Sequence, residues 1–293
     1  MLSTLNTTQK GILYALIGFS AFVISDSCAK WLSVDYPVLQ IVGWTYLFSF
    51  GFGLLFSRSM GGLSTTIKTP KLKIHLARGI CNFGLAVSVV TAFQNMPLTS
   101  VYPVLFLAPF MITILAVPIY KEHVPPINWL IIVIGFGGVV IAFQPWTNPI
   151  SIWVLVAFFT TLCISGLSLL ARPLDTRETL LSLSFYPSAV NVLLIFPMVI
   201  YQYGTPHIHD FPIFMLAGIM LVCGMSGVAS ACRITRYAII APLHYSQLIL
   251  VFTIGYIIFG ERPDWWMIGG SMVIAISGLM LALSDKKPIV AEH

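Results

Sequence analysis

Charged side chains are scarce in this chain, at 9% of its 293 residues against roughly 25% in an average soluble domain. Most of the few charges sit in short connections, and no polar stretch is long enough to fold as a separate catalytic or nucleotide-binding domain. The chain also lacks the H-E-x-x-H, G-x-S-x-G and Walker A patterns. These absences argue against an enzyme and against an ATP-driven pump built from this chain alone. We therefore expect neither enzymatic activity nor a cofactor.

Cysteine is also rare, and its placement indicates neither a metal site nor a disulfide framework. All five cysteines lie in apolar stretches and no two form a C-x-x-C pair. We interpret them as small buried hydrophobic side chains. The formal net charge is +5, but the basic residues are not clustered in one segment, so we expect no nucleic-acid partner.

Hydrophobic residues, by contrast, make up 58% of the sequence and fill nearly all of it. A helix needs roughly 20 mostly apolar residues to cross the hydrocarbon core of a bilayer. The sequence therefore predicts an all-α polytopic membrane protein with ten transmembrane helices. The ten windows lie near residues 11–32, 38–57, 74–93, 98–120, 127–144, 150–171, 179–201, 211–232, 237–260 and 264–284. The first window shows no cleavage site of small residues, so we expect it to be retained rather than removed as a signal peptide.

Lysine and arginine occupy alternate connections, which is the usual signal for orientation in a bilayer. With the N-terminus inside, Arg262 alone lies in an outer connection, and Lys30 lies within the first window. Both termini are therefore expected in the cytoplasm, with the chain in a bacterial inner membrane. The inner set contains Lys10, Arg58, Lys68, Lys71, Lys73, Arg78, Lys121, Arg172, Arg177, Arg233, Arg236, Lys286 and Lys287.

Two apolar stretches repeat the same pattern 139 residues apart in the chain. The matched pairs are Pro103 with Pro242, Phe106 with Tyr245, and Glu122 with Glu261. We place the boundary between the two copies near residue 146, giving a first repeat over 1–145 and a second over 146–293. Each copy holds five helices, and an odd number forces the second copy into the membrane upside down. The uncharged connection 94–97 and the basic connection 233–236 fit this inverted arrangement.

Asp26 and Lys30 are ionisable residues four positions apart within the first predicted helix, and therefore on one face. A charge inside a membrane usually faces a cavity or a partner. We predict either a coupling or substrate-facing charge pair, with Asp26 taking up a proton or meeting a cationic group, or a pair that neutralises itself while Lys30 reaches toward the interface.

Further candidates for substrate contact lie on four other helices. The sixth helix carries a stripe of Thr161, Ser165, Ser168 and Arg172, although Ser and Thr hydroxyls in membranes often bond back to their own helix. The remaining candidates are Asn82 on the third helix, Tyr102 and Phe106 on the fourth, and His244, Tyr245 and Gln247 on the ninth. For each of these, ordinary packing is the competing interpretation.

Five other residues are assigned structural roles. Pro103 and Pro242 interrupt their helices, which is tolerable in a membrane only beside protein or water. Glu122 and Glu261 end the fourth and ninth helices on opposite membrane faces, so they cannot share one substrate site. Arg78, near the start of the third helix, is interpreted as an anchor at the inner face.

The two halves, each ending in Pro-x-x-aromatic, then Lys-Glu or Gly-Glu, then Gly, resemble the EamA branch of the drug/metabolite transporter superfamily. This resemblance implies two inverted five-helix repeats around a central cavity. It also implies movement of small metabolites by alternating access. The segment Ser25-Asp26-Ser-Cys-Ala-Lys30-Trp is similar to a subgroup that includes S-adenosylmethionine uptake carriers. That subgroup commonly has an arginine in the second helix, where Gly43-Trp44-Thr45 stands here.

We therefore predict a secondary transporter for a small organic metabolite, either an amino acid, an amino-acid derivative or a similar zwitterion or cation. S-adenosylmethionine uptake or exchange is the alternative within this class. A multi-subunit channel is the alternative of another class, and it would need a ring of carbonyls or charges. Coupling to a proton or a counter-substrate, and a monomeric or homodimeric state, stay open at this point.

Overall fold

The computed structural model describes residues 6–147, 149, 151–174, 178–235 and 237–284. Within these ranges the regular structure is entirely helical, and ten helices are long and apolar enough to cross a membrane. This confirms the fold class and each of the ten predicted windows, with ends that differ by a few residues. The first helix begins earlier than predicted because Asn6 and Gln9 form a reciprocal capping box at its start.

We number the spanning helices α1 to α10 in chain order. The first repeat contains α1 (Thr7–Leu32), α2 (Val38–Leu55), α3 (Leu72–Asn95), α4 (Leu98–Leu105 and Ala108–Tyr120) and α5 (Pro126–Phe143). The second contains α6 (Ile152–Leu169), α7 (Leu180–Gln202), α8 (Phe211–Ile234), α9 (Tyr237–Ile240, Ala241–Tyr245 and Ser246–Phe259) and α10 (Trp265–Ser284). Short helical turns at Ser57–Met60, Leu63–Ile67 and Ile208–Asp210 lie between spans.

Proline interrupts α4 and α9 at matched places. Pro103 lies inside the first piece of α4, and Pro109 lies at the start of its second piece. Pro242 lies in the 3₁₀ turn near the start of α9, between its first short piece and its longest piece. Proline has no N–H to donate and crowds the preceding turn, so the α-helical hydrogen-bond ladder breaks at these positions. Both breaks fall in the interior of the bundle, where the aromatic residues that follow them meet.

Equivalent helices of the two halves run antiparallel where they touch. Along α2 and α7, Gly43 lies against Val199, the hydroxyls of Ser49 and Ser188 are 3.1 Å apart, and the Phe50 and Phe185 rings have centroids 5.2 Å apart. The residue numbers rise along α2 while they fall along α7. This antiparallel packing is the arrangement expected if the second predicted repeat is inverted with respect to the first.

The pair α5 and α10 shows the same relationship. Asn128 accepts a hydrogen bond from Ser284, and at the opposite end of the pair the rings of Trp146 and Trp266 have centroids 6.3 Å apart. Between these contacts Gly138 and Gly270 bring the two backbones together, since a Cβ on Gly270 would lie 2.4 Å from the Gly138 carbonyl oxygen. Small residues therefore allow this pair to approach closely, as in many membrane helix pairs.

The remaining contacts between helices also obey the two-fold relationship. Helix α1 packs on α8 and its counterpart α6 packs on α3; likewise α8 packs on α2 and α3 packs on α7. Exchanging the two repeats converts each of these contacts into the other. Helix α3 matches α8 residue for residue, because both have 24 residues and both ends differ by the repeat spacing. The core of the molecule is therefore the interface between the repeats.

Candidate functional site

The breaks in α4 and α9 bring a group of aromatic rings together at the centre of the bundle. Phe106 is only 1% exposed, and its ring centroid lies 5.0 Å from that of His244 and 5.4 Å from that of Tyr245. Tyr102 and Phe19 extend the group on either side, with centroids 5.8 Å from Phe106 and 5.1 Å from His244 respectively. We call these five residues the central aromatic cluster.

Asp26 of α1 is joined to this cluster by a hydrogen bond. The Tyr102 hydroxyl donates to the Asp26 carboxylate with an oxygen–oxygen distance of 2.7 Å. Tyr102 is itself 2% exposed, so the bond lies away from the protein surface. A carboxylate held in an apolar and aromatic setting is expensive to keep charged, and residues of this kind inside membranes usually serve transport or proton transfer. The carboxylate and the ring faces together suit a cationic or planar ligand.

Lys30 does not pair with Asp26, although the two share one face of α1. Its ammonium group donates to the backbone carbonyls of Phe93 and of Met96, the latter at 2.8 Å. These carbonyls lie at the C-terminal end of α3, where a cation is also favoured by the helix dipole. The predicted charge pair is therefore not formed in this structure, because each charge has found its own partner on the first repeat.

Thr161 and Ser165 on α6 are fully buried, and their hydroxyls are already hydrogen-bonded. Thr161 donates toward the carbonyl of Val104 at 2.9 Å, and Ser165 toward that of Ala108 at 3.3 Å. They brace the two pieces of α4 on either side of its break. Their role as substrate contacts stays a prediction, and in this conformation their oxygens serve the backbone of α4.

The other two members of the predicted stripe on α6 lie elsewhere. Ser168 is exposed and bonds back to the carbonyl of Ile164 at 2.9 Å. Arg172 lies beyond the end of α6 and forms an ion pair with Glu122 at 2.6 Å. The four residues therefore do not line one common space, because the helix ends before the last of them.

Asn82 and Gln247 are both buried. Gln247 is in the first turn of the longest piece of α9, two residues after Tyr245 of the aromatic cluster. Asn82 on α3 accepts a hydrogen bond from the side-chain amide of Asn191 on α7 at 2.9 Å. This amide pair joins the two repeats near the middle of both helices. Asn191 was not among the candidate residues predicted from the sequence.

Glu261 and Glu122, which are equivalent in the repeat, have different partners. The Glu261 carboxylate accepts hydrogen bonds from the backbone N–H groups of Leu98 and Thr99, at 2.6 and 2.9 Å, and from the Thr99 hydroxyl at 2.7 Å. It thereby caps the start of α4, which belongs to the other repeat. Glu122 is 45% exposed and pairs with Arg172. The structural interpretation of both residues stays a proposal, and its geometry is that of a cap for one and a surface pair for the other.

The two proline-containing segments also differ in burial. Residues 101–108, around Pro103, are all buried, whereas in the equivalent run 240–247 only the end residues Ile240 and Gln247 are buried and 241–246 are partly buried. The bundle is therefore packed tightly where α4 begins and more loosely where α9 begins. Because the repeats are inverted, these two places lie toward opposite faces of the membrane.

A polar cluster at the end of the bundle where α3 begins was not foreseen from the sequence. Glu178 accepts from Thr69 at 2.5 Å, lies 3.2 Å from the ring of the fully buried His75, and receives a hydrogen bond from Arg233 on its backbone carbonyl. Burial alone would raise the pKa of this carboxyl, but its bonds with Thr69 and His75 more than offset burial and hold the pKa below its usual value. Glu178 lies in a short connection between helices, so no helical periodicity in the sequence predicted its burial.

The cysteines were expected to be buried, and two of them are not. Cys28 and Cys163 are buried and Cys81 is partly buried, but Cys223 and Cys232 are exposed on α8. The apolar windows face lipid as well as the core, so an apolar setting in the sequence does not imply burial in the protein. Within the described ranges no group of three or more His, Cys, Asp or Glu side chains could hold a metal ion.

Comparison with known proteins agrees with this architecture. A crystal structure of a protein 14% identical in sequence superposes with a TM-score of 0.65, covering 94% of this chain and 99% of that one, which shows the shared fold. The S-adenosylmethionine uptake transporter of Rickettsia prowazekii (strain Madrid E) is 26% identical and is matched over 100% of this chain and 99% of its own length.

Two other relatives carry different substrates in their names. The pseudopaline exporter CntI of Pseudomonas aeruginosa (strain UCBPP-PA14) is 21% identical, over 96% of this chain and 99% of its own. The riboflavin transporter of Vibrio cholerae is 21% identical, over 92% and 91%. These relatives are transporters rather than enzymes, and residues 9–144 match the model of the EamA-like transporter family. The chain is therefore a multi-pass membrane protein that is similar to the EamA-like transporter family over residues 9–144 and to transporters over nearly its whole length.

Proposed function

We propose that this protein is a secondary carrier that moves a small zwitterionic or cationic metabolite across a bacterial inner membrane by alternating access. The observation that carries the proposal is the difference between the two proline-containing segments. One is fully buried and the other is partly exposed, although they occupy equivalent places in the two repeats. Two copies of one unit in two conformations define one face closed and one face accessible.

The contacts of the glutamates support this interpretation. At the sealed end Glu261 clamps the start of α4 from the opposite repeat. At the looser end its equivalent, Glu122, pairs with Arg172 at the surface. The distribution of basic residues predicts that the looser end faces the cytoplasm. The structure then corresponds to an inward-facing state, and exchange of the two conformations between the repeats would produce the outward-facing one.

The proposed substrate class rests on the chemistry of the centre. Asp26 offers a negative charge beside Tyr102, and the faces of Phe106, His244 and Tyr245 lie close by. A carboxylate with aromatic faces favours a ligand that has both a cationic centre and a flat ring. S-adenosylmethionine has both, as a sulfonium and an adenine, and relatives matched over almost the whole chain are named for its uptake. Uptake or exchange of this compound is therefore the specific candidate within the class.

Counterflow in proteoliposomes tests the proposal directly. Vesicles loaded with unlabelled S-adenosylmethionine should accumulate the labelled compound above its outside concentration, and the uptake should saturate. A channel would equilibrate the label without such an overshoot. Amino acids, nucleosides and amino-acid derivatives form the next panel if this compound is not carried. Absence of counterflow with every member, in protein that binds one of them, would reject the carrier.

A further inference from the structure

Arg78 lies inside the bundle, which contradicts its interpretation as an anchor at the membrane surface. Its side chain is 6% exposed, whereas Leu76 and Ile80 on the same stretch of α3 are 45% and 63% exposed. Steps of two residues turn an α-helix by about 200°, so Arg78 points away from the lipid-facing side that these two residues define. Cys81 and Gly84 face α6, and Gly79 and Asn82 face α7. Arg78 projects between these two contacts, toward the interior.

The guanidinium of Arg78 is not satisfied by the residues around it. Its Nε and Nη1 atoms are buried and have no hydrogen-bond partner in the described part of the chain. Among the described residues it forms no ion pair either. Glu178 is the acid associated with this end of α3, and its carboxylate is engaged by Thr69 and His75 instead. A permanent charge inside a membrane protein without a partner is costly, and it usually marks a place where a ligand or ion passes.

We propose that Arg78 binds the carboxylate of the transported molecule, which makes the substrate a zwitterion rather than a simple cation. This inference rests on the carrier function proposed above. A guanidinium offers pairs of parallel N–H donors to a carboxylate, Nε with Nη2 or Nη1 with Nη2, and the unpaired Nε and Nη1 of Arg78 each supply one donor of such a pair. One arginine with Glu178 at the same end of α3 suits a single negative charge and disfavours a doubly charged phosphate. The amide pair of Asn82 and Asn191 lies one turn further along α3 and offers neutral polar groups beside the charge.

Arg78 and Asp26 form separate binding sites along one transport path. We call the site at Arg78 the carboxylate station and the site at Asp26 the cation station. Lys30 bonds to the carbonyl of Phe93, and Phe93 is about 22 Å beyond Arg78 along α3 at roughly 1.5 Å per residue. Asp26 lies one turn inward from Lys30, so its level lies between that of Phe93 and that of Arg78. The carboxylate station therefore lies in the half of the bundle that contains the start of α3, and the cation station lies in the other half.

The test uses purified full-length protein in detergent micelles with sodium acetate as the probe, against sodium chloride at equal ionic strength. Acetate should raise the melting temperature of the wild-type protein in a saturable way. In Arg78→Gln the half-saturating concentration should rise about tenfold to a hundredfold, as expected for the loss of a charged hydrogen bond. Lys73→Gln removes the same charge from an exposed position on the same helix and should respond as the wild type does.

A second readout separates ligand binding from a structural role. Without acetate, Arg78→Gln should melt no lower than the wild type, because it removes a buried charge that has no partner. Arg78→Lys, which keeps the charge and loses the fork, should show an intermediate acetate response and covers the case in which the glutamine variant does not fold. The inference is overturned if wild type and Arg78→Gln respond alike, if neither responds, or if the arginine variants melt several degrees lower without acetate.

Counterflow of S-adenosylmethionine by the wild-type protein is measured separately. Its absence alongside an Arg78-dependent acetate response would remove the carrier function and leave the anion site standing. Counterflow alongside an acetate response that ignores Arg78 would remove the anion site and leave the carrier. The decarboxylated analogue of S-adenosylmethionine adds a direct comparison, since Arg78→Gln should abolish the preference for the carboxylated compound.

Discussion

Phe106 and Tyr245 occupy the same position in the two repeats and lie against each other at the centre of the molecule, with ring centroids 5.4 Å apart and ring planes inclined by 38°. They are brought there by matched prolines, which break α4 and α9 at the same depth of the duplicated sequence. Because the two residues are equivalent, exchanging the repeats maps this contact onto itself. We expect a ligand bound here to touch both halves, so that its binding influences both faces of the membrane.

Asp26→Asn should abolish counterflow while leaving expression and folding intact. The substitution keeps the shape and a hydrogen-bond acceptor for Tyr102, but it removes the negative charge that Asp26 offers to a cation. Transport of a cationic group should therefore fall by at least tenfold, the loss expected for a charged hydrogen bond of about 1.5–3 kcal/mol. Asp35→Asn makes the same chemical change at an exposed position in the α1–α2 turn and serves as the control. Normal uptake by Asp26→Asn would remove Asp26 from the mechanism.

Tyr102→Phe should weaken substrate affinity while preserving the aromatic cluster. The ring that contacts Phe106 is retained, but the donor to the Asp26 carboxylate is lost. We expect the apparent affinity in counterflow to fall by about tenfold, because the carboxylate is left without its partner. Tyr256→Phe removes a hydroxyl from a residue that is 62% exposed on α9 and should leave transport unchanged. Equal kinetics for the two variants would contradict a role for the Tyr102 hydroxyl.

Glu261→Ala should destabilise the protein more than Glu122→Ala, although the two residues are equivalent in the repeat. Glu261 satisfies two backbone N–H groups at the start of α4, and loss of a helix cap costs about 0.5–2 kcal/mol. Glu122 forms an exposed pair with Arg172, and such pairs contribute about 0–1 kcal/mol. Unfolding by denaturant in mixed micelles measures both. Equal losses would show that the two ends of the molecule are alike in solution.

Gly278→Ala should impair transport, whereas Gly269→Ala on the same helix should not. A Cβ at position 278 would lie 1.6 Å from the Tyr245 hydroxyl oxygen, while one at position 269 meets nothing within 4 Å. The displaced Tyr245 ring would lose its contact with Phe106. Because a tyrosine can swing aside more easily than backbone can move, we expect a larger effect on counterflow than on the melting temperature. Transport by Gly278→Ala at the wild-type rate would argue that Tyr245 does not need its observed position.

Glu178→Gln should lower stability at neutral pH and flatten its dependence on acid. The pKa of this carboxyl is lower in the folded protein than its usual value, so ionised Glu178 contributes stability above the unfolded pKa and loses it as the pH falls through the folded pKa. The wild type should therefore lose melting temperature below about pH 4.3, the ordinary range of a glutamate. The variant should already be destabilised at pH 7 by about 1–3 kcal/mol and change less on acidification. Parallel acid profiles for the two proteins would contradict the assignment.

The helices and the duplication follow from the order of residues alone. A bilayer requires about 20 apolar residues per span, so composition and length are enough to place α1 to α10. The matched prolines and aromatics of the two halves are visible in the sequence itself. An odd number of spans per copy predicts that the second copy is inverted in the membrane. Phe106, Tyr245, His244 and Tyr102 were named from this pattern, and the structure brings them together.

The hydrogen-bond partners of the predicted site residues, in contrast, depend on three-dimensional packing. Spacing places Asp26 and Lys30 on one face, yet their charges bind Tyr102 and the end of α3, because these groups offer closer donors and acceptors. Thr161 and Ser165 point into the bundle as predicted but meet the broken backbone of α4. Helical periodicity predicts the direction in which a side chain points, but it does not predict which groups the side chain contacts.

Local sequence thus decides which segments span the membrane, that they come in two related sets, and where proline breaks them, since each of these depends on neighbouring residues in the chain. Only the assembled bundle decides that Arg78 is buried without a partner and that one of two equivalent segments is sealed while the other is loose. Those properties arise from contacts between residues that are far apart in the chain. Equivalent segments of the two repeats can therefore adopt different surroundings in the same molecule.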